Sequence, residues 1–313
     1  MGRPWADGRL QLSIIPEILI AQAPTQRESP SRIQAKRVSM SKIWFVTGSS
    51  RGFGRRFVEA ALERGDKVVA TARQAESLAG LVAVHGDRVL PLSLDVTDRA
   101  AVFSAVQRAH EHFGRIDVVV NNAGYGLFGM VEEIKEREIR GQFETNVFGA
   151  LWVTQAALPV LRAQGSGHIV MLSSVLGIAA FPTTGGYTAS KAALEGFSES
   201  LAQEVAPFGI KVTIVEPSAF DTEFSASSAR AEPMPNYAPV RDAVNARFAG
   251  LPQGDASGVG AALLSIVDAA QPPLRVFFGT LPMHVVPPLY AERLKTWEQW
   301  AQVAALADGG RKG

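Results

Sequence analysis

The sequence contains no cysteine among its 313 residues. This absence excludes disulfide bonds, cysteine-based zinc or iron–sulfur sites and a thiol nucleophile. It fits a reducing compartment, and we expect the protein in the cytoplasm. The five histidines do not cluster on any expected site, so no metal is predicted.

An excess of one charge is also missing, since 31 basic side chains are balanced by 30 acidic ones. The chain therefore lacks the electrostatic footprint of a nucleic-acid binder and any global attraction to anionic membranes. No uninterrupted apolar run reaches 18 residues, so no membrane-spanning helix is expected. Hydrophobic residues still make up 47% of the chain, which is enough for a substantial core.

The first 39 residues differ from the rest of the chain. The apolar stretch Leu10–Ala23 resembles a secretory signal, but Pro16 and Glu17 interrupt it, and acidic residues argue against a transit peptide. Residues 24–39 are polar and contain two prolines. We interpret residues 1–39 as a flexible extension, with Met40 as an alternative start, and residues 40–313 as the folded domain.

From Lys42 onward, short apolar runs alternate with amphipathic stretches. The runs are β-branched or aromatic and predict buried strands at Ile43–Thr47, Lys67–Thr71, Arg88–Leu94, Ile116–Asn121, His168–Ser173, Ile210–Val215 and Arg275–Phe278. Helices are predicted at about 53–64, 75–84, 98–113, 136–163, 187–206 and 257–270. Such alternation is typical of a single α/β domain with a doubly wound, seven-stranded parallel sheet.

One long irregular region, about 217–250, holds four prolines among small polar residues. It is too long for an ordinary connection, so it is either disordered or a functional lid. Because it follows a strand directly, the lid is the preferred interpretation.

The first predicted strand leads through a glycine-rich turn into a helix. A turn of this kind lets the backbone approach a diphosphate that rests on the helix N-terminus. The spacing here is Gly-x-x-x-Gly-x-Gly, and the predicted cofactor-binding residues of the turn are Gly48, Ser50, Arg51, Gly52, Phe53 and Gly54.

The end of the second strand carries Arg73, where an acidic residue would bind a ribose 2′-hydroxyl and repel a 2′-phosphate. Arg51 lies within the glycine turn. Two guanidiniums near one ribose suit a phosphate dianion, so NADP(H) is predicted over NAD(H), unless both arginines simply face solvent.

Two further segments fall at carboxyl ends of strands, where ligands of open α/β sheets bind. Asp95 is predicted to contact the adenine amine, and Val96 is predicted to bind the cofactor. In the segment Asn121–Gly124, Asn121 is predicted either to tie neighbouring strands together or to contact the cofactor directly. Asn122, Ala123 and Gly124 are predicted to border the cofactor.

The predicted reactive groups are Ser174, Tyr187 and Lys191. Tyr187 and Lys191 are four residues apart and share a helix face. A phenol with a pKa near 10 needs tuning for acid–base work at neutral pH, and a neighbouring ammonium favours the phenolate by stabilising its charge. Ser174, at a strand end, is placed to hydrogen-bond a substrate oxygen.

Taken together, Thr47–Gly54, Asn121–Gly124, Asn146, Ser173–Ser174, Tyr187–Lys191 and Pro217–Thr222 resemble the short-chain dehydrogenase/reductase family in order and spacing. The resemblance covers nearly the whole chain beyond the extension. It implies a Rossmann domain with strand order 3-2-1-4-5-6-7 and hydride transfer between a nicotinamide and a carbonyl or alcohol.

The resemblance also implies roles for individual residues. Tyr187 would be the general acid–base, Lys191 would lower its pKa and bind the nicotinamide ribose, and Asn146 would hold a water of the proton relay. Pro217 and Thr222 match cofactor-contacting positions. One departure is Ser218, which stands where the family usually has glycine.

The expected function is an NADPH-dependent reductase of a hydrophobic ketone or aldehyde, working reversibly as an alcohol dehydrogenase. The alternatives are a non-catalytic NADP(H)-sensing or scaffold protein and a nucleotide-sugar epimerase or dehydratase. Besides the catalytic pair Ser174 and Tyr187, the expected walls of the substrate pocket are Val175, Phe181, Phe220, Phe224 and Tyr237. A homodimer or homotetramer is expected through the helix at 136–163 and the small residues Ala189, Ala192 and Ala193.

Overall fold

A computed structural model of the chain describes residues 41–309. The predicted flexible extension, residues 1–39, lies outside this range. Residues 41–282 belong to one compact unit, and residues 283–309 belong to a second unit that is described by itself.

A parallel sheet of seven strands forms the centre of the first unit. Its strands are β1 Ile43–Val46, β2 Lys67–Ala72, β3 Val89–Ser93, β4 Val118–Asn121, β5 Gly167–Leu172, β6 Ile210–Pro217 and β7 Arg275–Phe278. They lie in the order β3-β2-β1-β4-β5-β6-β7, and every neighbouring pair is parallel. The predicted doubly wound sheet and its strand order are confirmed.

Helices connect the strands and cover both faces of the sheet. They are α1 Gly52–Arg64, α2 Ala79–His85, α3 Arg99–Phe113, α4 Glu136–Phe143, α5 Ala150–Gln164, α6 Gly185–Val205, α7 Phe224–Ser227, α8 Ala238–Phe248 and α9 Val259–Asp268. Asp98 caps α3 by accepting from Ala101 N at 3.0 Å, and Gly65 and Gly114 end α1 and α3 with positive φ.

The strand side chains alternate between two apolar layers. In β1, Phe45 packs into one layer with α3 and α5, whereas Trp44 and Val46 pack into the other with α1 and α9. All three are fully buried. This two-sided burial explains why the strands show continuous apolar runs rather than alternation with polar residues.

The predicted long helix at 136–163 is interrupted. Between α4 and α5, residues Glu144–Gly149 form a π-helical turn. Such turns often occur at functional sites, and this one contains Asn146.

The predicted irregular region at 217–250 is largely helical in the structure. It contains α7, α8 and a two-residue strand, Ala229–Arg230, that pairs in parallel with Leu127–Phe128. We call residues 217–254, which include the predicted lid at about 217–250, the lid segment; the function of a lid stays a prediction.

The described part of the second unit contains α10, Pro282–Gln299, apart from its first residue, and α11, Ala301–Ala307. Large apolar side chains are exposed on it, including Leu294, Trp297 and Trp300. Within residues 41–309, no helix combines the length and apolar character needed to cross a membrane.

Candidate active site

The glycine turn between β1 and α1 is built for close backbone approach. Gly48 and Gly52 have φ of +70° and +56°, a region that L side chains rarely adopt. A Cβ on Gly54 would lie 2.2 Å from the Gly48 carbonyl oxygen. Only glycine therefore fits there, and it lets the start of α1 pack directly on the turn.

The turn is tied to the end of β4 by backbone and amide contacts. Thr47 Oγ1 accepts from the backbone N–H groups of Asn122 and Ala123, each at 3.0 Å. The Asn122 amide donates to the carbonyls of Thr47 and Gly48 at 2.9 and 3.1 Å. The side chain of Asn122 thus braces the turn.

Asn121 has the structural role that was predicted for it. Its amide donates to Thr154 Oγ1 of α5 and to Met171 Sδ of β5, both at 3.2 Å. Asn121 directly precedes Asn122, and its side chain holds the end of β4 against α5 and β5.

The two arginines predicted to bind a phosphate are exposed, and neither Arg51 nor Arg73 has an ion-pair partner within residues 41–309. The carboxylate of Asp95 accepts from the backbone N–H and the hydroxyl of Thr97. Val96 is buried against Gly149 of the π-helical turn. The glycine turn and these strand ends leave a cradle with free positive charge, which fits an anionic dinucleotide.

Ser174, Tyr187 and Lys191 come together at the carboxyl ends of the central strands. All three are buried, at 8%, 5% and 5% exposure. The Ser174 hydroxyl hydrogen-bonds the Tyr187 phenol, and Lys191 Nζ lies 5.8 Å from the centroid of that ring. Lys191 Nζ also donates to the backbone carbonyl of Leu172, at the end of β5.

The electrostatics differ from the sequence-based expectation. Burial raises the pKa of Tyr187 above 10, and the hydrogen bond with Ser174 opposes this only in part. Burial also lowers the pKa of Lys191 to about 8, although the charge of Glu195 opposes it. The expected lowering of the Tyr187 pKa by Lys191 is therefore not seen in the protein without its cofactor, where burial of the phenol is the largest effect.

Asn146 joins three parts of the site. Its amide donates to the Tyr125 carbonyl and to Ser190 Oγ, and its oxygen accepts from Tyr125 N. Ser190 in turn donates to the Tyr187 carbonyl. Both N–H groups of the amide therefore donate hydrogen bonds. Through them Asn146 links the segment that follows β4 to helix α6.

Aromatic rings cover the Tyr187 phenol. The centroid of the Phe224 ring lies 5.7 Å from that of Tyr187, and the centroid of the Phe128 ring lies 6.1 Å away. Phe181 packs edge-to-face on Phe248 of α8 at 5.3 Å, while Val175 begins the short turn after Ser174. Phe128 and Phe248 were not predicted, since neither belongs to a local motif.

Two predicted wall residues lie elsewhere. Phe220 packs edge-to-face on Phe53 of the glycine turn at 5.0 Å and against Gly254, so it supports the cofactor cradle. Tyr237 donates to Glu132 at the exposed surface. Phe220 forms a bridge with Gly254, and Tyr237 lies in the short turn just before α8, so the two rings have different surroundings.

The Ser218 substitution creates no backbone strain. Within residues 41–309, the one non-glycine residue with positive φ is Thr183. Ser218 N donates to the Phe278 carbonyl, and a Cβ on Gly279 would lie 2.3 Å from Ser218 Oγ. The room that the serine needs is supplied by a glycine on the neighbouring strand. Pro217 ends β6, and Thr222 Oγ1 accepts from Phe224 N at 3.3 Å.

A buried carboxylate anchors the lid segment. Glu133 accepts from Met234 N, Met130 N and Arg241 of α8. Burial raises the pKa of Glu133, but these hydrogen bonds and the Arg241 charge hold it below its ordinary value. The lid therefore rests on residues that follow Phe128.

The chain is similar to known oxidoreductases over most of its length. Residues 42–233 match the short chain dehydrogenase family. An oxidoreductase of Botryotinia fuckeliana, BOA17, is 44% identical over 247 residues, covering 77% of this chain and 89% of that protein. A 3-ketodihydrosphingosine reductase of Bacteroides thetaiotaomicron is 35% identical over 245 residues, covering 77% and 88%.

Solved structures give the same result. A short-chain dehydrogenase from Streptomyces avermitilis is 41% identical, covers 86% of this chain and 99% of its own, and has a TM-score of 0.81. A short chain dehydrogenase from Burkholderia cenocepacia in complex with NADP is 30% identical, covers 83% and 97%, and has a TM-score of 0.67.

Proposed function

The chain belongs to the short-chain dehydrogenase family of oxidoreductases, and from this premise we propose that it is an NADPH-dependent reductase of hydrophobic ketones or aldehydes that also runs in the alcohol-oxidising direction. The observation that carries the proposal is the buried contact of Ser174 with Tyr187, beside Lys191 and under the rings of Phe128 and Phe224.

The protein's own residues fit the cofactor. Gly48, Gly52 and Gly54 would admit the diphosphate at the start of α1, because side chains there would fill the cradle. Arg51 and Arg73, which are exposed and unpaired within the described residues, would hold a 2′-phosphate. When bound, the nicotinamide supplies the hydride.

Tyr187 would act as the general acid in carbonyl reduction. Its raised pKa keeps the phenol protonated at neutral pH, which is the form that can give a proton to the substrate oxygen. Ser174 would hold that oxygen by a hydrogen bond. Lys191 would stabilise the phenolate left after proton transfer, since its positive charge lies close to the ring.

The rings around Tyr187 favour an apolar substrate. Phe128 and Phe224 offer apolar surface beside the Tyr187 phenol, and the Phe181–Phe248 pair is proposed to extend it. The name of the Bacteroides relative, 3-ketodihydrosphingosine reductase, refers to a ketone on a long aliphatic chain, which is the same chemical class.

A homo-oligomer is also proposed, through α4, α5 and α6. Ala189 and Ala192 are exposed on α6, and small side chains let helices approach closely. The cytoplasmic location remains a prediction from the absence of cysteine.

Loss of absorbance at the reduced-nicotinamide band, across a panel of apolar ketones and aldehydes, tests the proposal. Turnover is expected with NADPH, and Tyr187→Phe is expected to abolish it while leaving the Kd for NADPH nearly unchanged. Unaltered turnover in that variant would remove Tyr187 from the mechanism.

The cofactor preference has its own test. Arg73→Asp should weaken NADPH binding much more than NADH binding, because only NADPH carries the 2′-phosphate. Equal losses for both cofactors would contradict the assignment of Arg73.

A further inference from the structure

A buried ionic cluster lies behind the reactive groups. Arg275 of β7 donates from Nη1 to Glu195 Oε2 at 2.8 Å and from Nε to Glu199 Oε1 at 2.9 Å, both on α6. Arg275 Nη1 also contacts Glu216 Oε1 at the end of β6. Glu195 and Glu216 are only 4% and 1% exposed. Three carboxylates thus surround one guanidinium, an arrangement that is costly to bury.

Glu195 connects this cluster to the turn that carries Ser174. Its Oε1 accepts from Ser173 Oγ, one residue before Ser174. A Cβ on Gly177 would lie 2.1 Å from the same oxygen. The backbone from Ser173 to Gly177 therefore rests directly on the carboxylate, and a shift of that carboxylate would move the Ser174 hydroxyl.

Glu195 also acts on Lys191. Tyr187, Lys191 and Glu195 follow one another at four-residue spacing on α6, so each lies one turn from the next. Burial lowers the pKa of Lys191, whereas the negative charge of Glu195 raises it. The charge on Lys191 is thus maintained in part by Glu195.

We propose that Glu195 is a positioning residue of the hydride-transfer reaction. Held by Arg275, its carboxylate fixes the Ser173–Gly177 turn and keeps the charge on Lys191. The inference rests on the proposed function, because Ser174 and Lys191 are the groups through which Glu195 acts.

The charge effect is tested by Glu195→Gln, which keeps the shape and removes the charge. The groups facing Glu195 are Lys191 and Glu199 on α6, Ser173 directly after β5, Glu216 on β6 and Arg275 on β7. Without the Glu195 charge, Lys191 loses its proton more easily. The alkaline limb of the kcat/KM profile should therefore move about one pH unit lower.

Glu199→Gln is the matched control. Glu199 binds the same guanidinium from the next turn of α6, but its side chain is 47% exposed. No hydrogen bond joins it to Ser173 within the described residues. Its variant should leave the pH profile in place. Equal shifts in the two variants, or no shift in Glu195→Gln, would overturn the proposal.

Ser173→Ala tests the positional effect separately, since it removes the hydrogen bond and leaves the charge. It should lower kcat about tenfold without moving the alkaline limb. If Glu195→Gln does not fold, this variant decides: an unchanged kcat would overturn the proposal.

A readout independent of turnover separates this inference from the proposed function. Lys191 is proposed to bind the nicotinamide ribose. The Kd for NADPH should therefore rise at high pH, where Lys191 loses its proton. In Glu195→Gln this rise should begin at a lower pH. If the wild-type protein reduces no carbonyl, the proposed function fails. The shift in NADPH binding would still support the link between Glu195 and Lys191, and its absence would refute it.

Discussion

The charged and polar groups at the two ends of the parallel sheet differ in how well their hydrogen bonds and ion pairs compensate for burial. At the amino ends of the strands, carboxylates bind fixed donors. Asp66 accepts from Lys42 N at 3.0 Å and from Trp44 Nε1 at 2.8 Å, and it pairs with Arg64. Asp117 accepts from Ile43 N at 2.8 Å and from Arg115. Each carboxylate joins the start of one strand to its neighbour.

At the carboxyl ends, burial of ionisable groups costs free energy of folding. Tyr187 and Lys191 both have pKa values displaced by burial, and Glu216 has its pKa raised to about 7 by burial and by the nearby Glu195. Groups of this kind are typical of active sites, where reactivity matters more than stability. The comparison indicates that the carboxylates of Asp66 and Asp117 stabilise the amino end, whereas the carboxyl end carries the groups to which we assign the proposed chemistry.

The largest expected effect is at the carboxyl end, in Lys191→Met. Turnover should fall by roughly 10³-fold or more, because the charge beside Tyr187 is lost. Since burial lowers the Lys191 pKa from 10.5 to about 8, removing the charge should raise the free energy of unfolding at pH 7 by up to about 3 kcal/mol. Steady-state kinetics measure the loss of turnover, and denaturant unfolding measures the gain in stability. A less stable variant would contradict the statement that burial of Lys191 costs free energy of folding.

At the amino end, Asp66→Ala is expected to lower stability and to leave activity unchanged. The indole N–H of Trp44 and the Lys42 N–H lose their acceptor, and Trp44 is fully buried. The free energy of unfolding should fall by about 3 to 5 kcal/mol, with kcat unchanged for the folded protein. Asp66→Asn, which keeps one acceptor oxygen, serves as the milder control. A lower kcat at full cofactor saturation would show that the two ends are coupled.

A pH-dependent effect is expected from His168 at the start of β5. Burial, with the nearby Lys211 and Lys42, lowers its pKa to about 4. Because an unfolded histidine binds a proton near pH 6.5, the native state loses stability as pH falls from 6.5 towards 4. Between pH 7 and 4.5, the wild-type protein should lose about 2 to 3 kcal/mol more than His168→Gln. Parallel losses in denaturant titrations of the two proteins would disprove this.

The smallest effect is expected at Thr183, in the loop that leads into α6. Its φ of +72° strains a β-branched side chain. Thr183→Gly should raise the free energy of unfolding by about 0.5 to 1 kcal/mol, after the greater chain entropy of glycine is counted. The thermal midpoint would report it, and a fall in that midpoint would show that the threonine is not strained.

Much of this molecule was predictable from local patterns. The strand bounds agree within two residues, because each strand is a short run buried on both faces, with no helical periodicity. The glycine turn and the Tyr187–Lys191 spacing were readable for a similar reason. Each lies within one strand–turn–helix unit or one helical turn, where sequence distance fixes spatial distance.

Other features depend on contacts between distant segments. Phe220 was assigned to the substrate pocket but packs on Phe53, and Phe248 reaches Phe181 from the lid helix. Neither contact can be predicted from neighbouring residues in the sequence, because each joins rings that are far apart in the sequence.

The sequence by itself thus determined the parallel sheet and the glycine turn, and it supplied the proposed reactive groups, because these follow from apolar periodicity and short-range spacing. Only the tertiary structure decided their electrostatic state. The pKa of Tyr187 is raised rather than lowered because folding removes water from around it. Glu195 meets Arg275 across 80 residues of sequence. Depth of burial and long-range pairing are properties of the assembled fold, and they determine which charges the site retains.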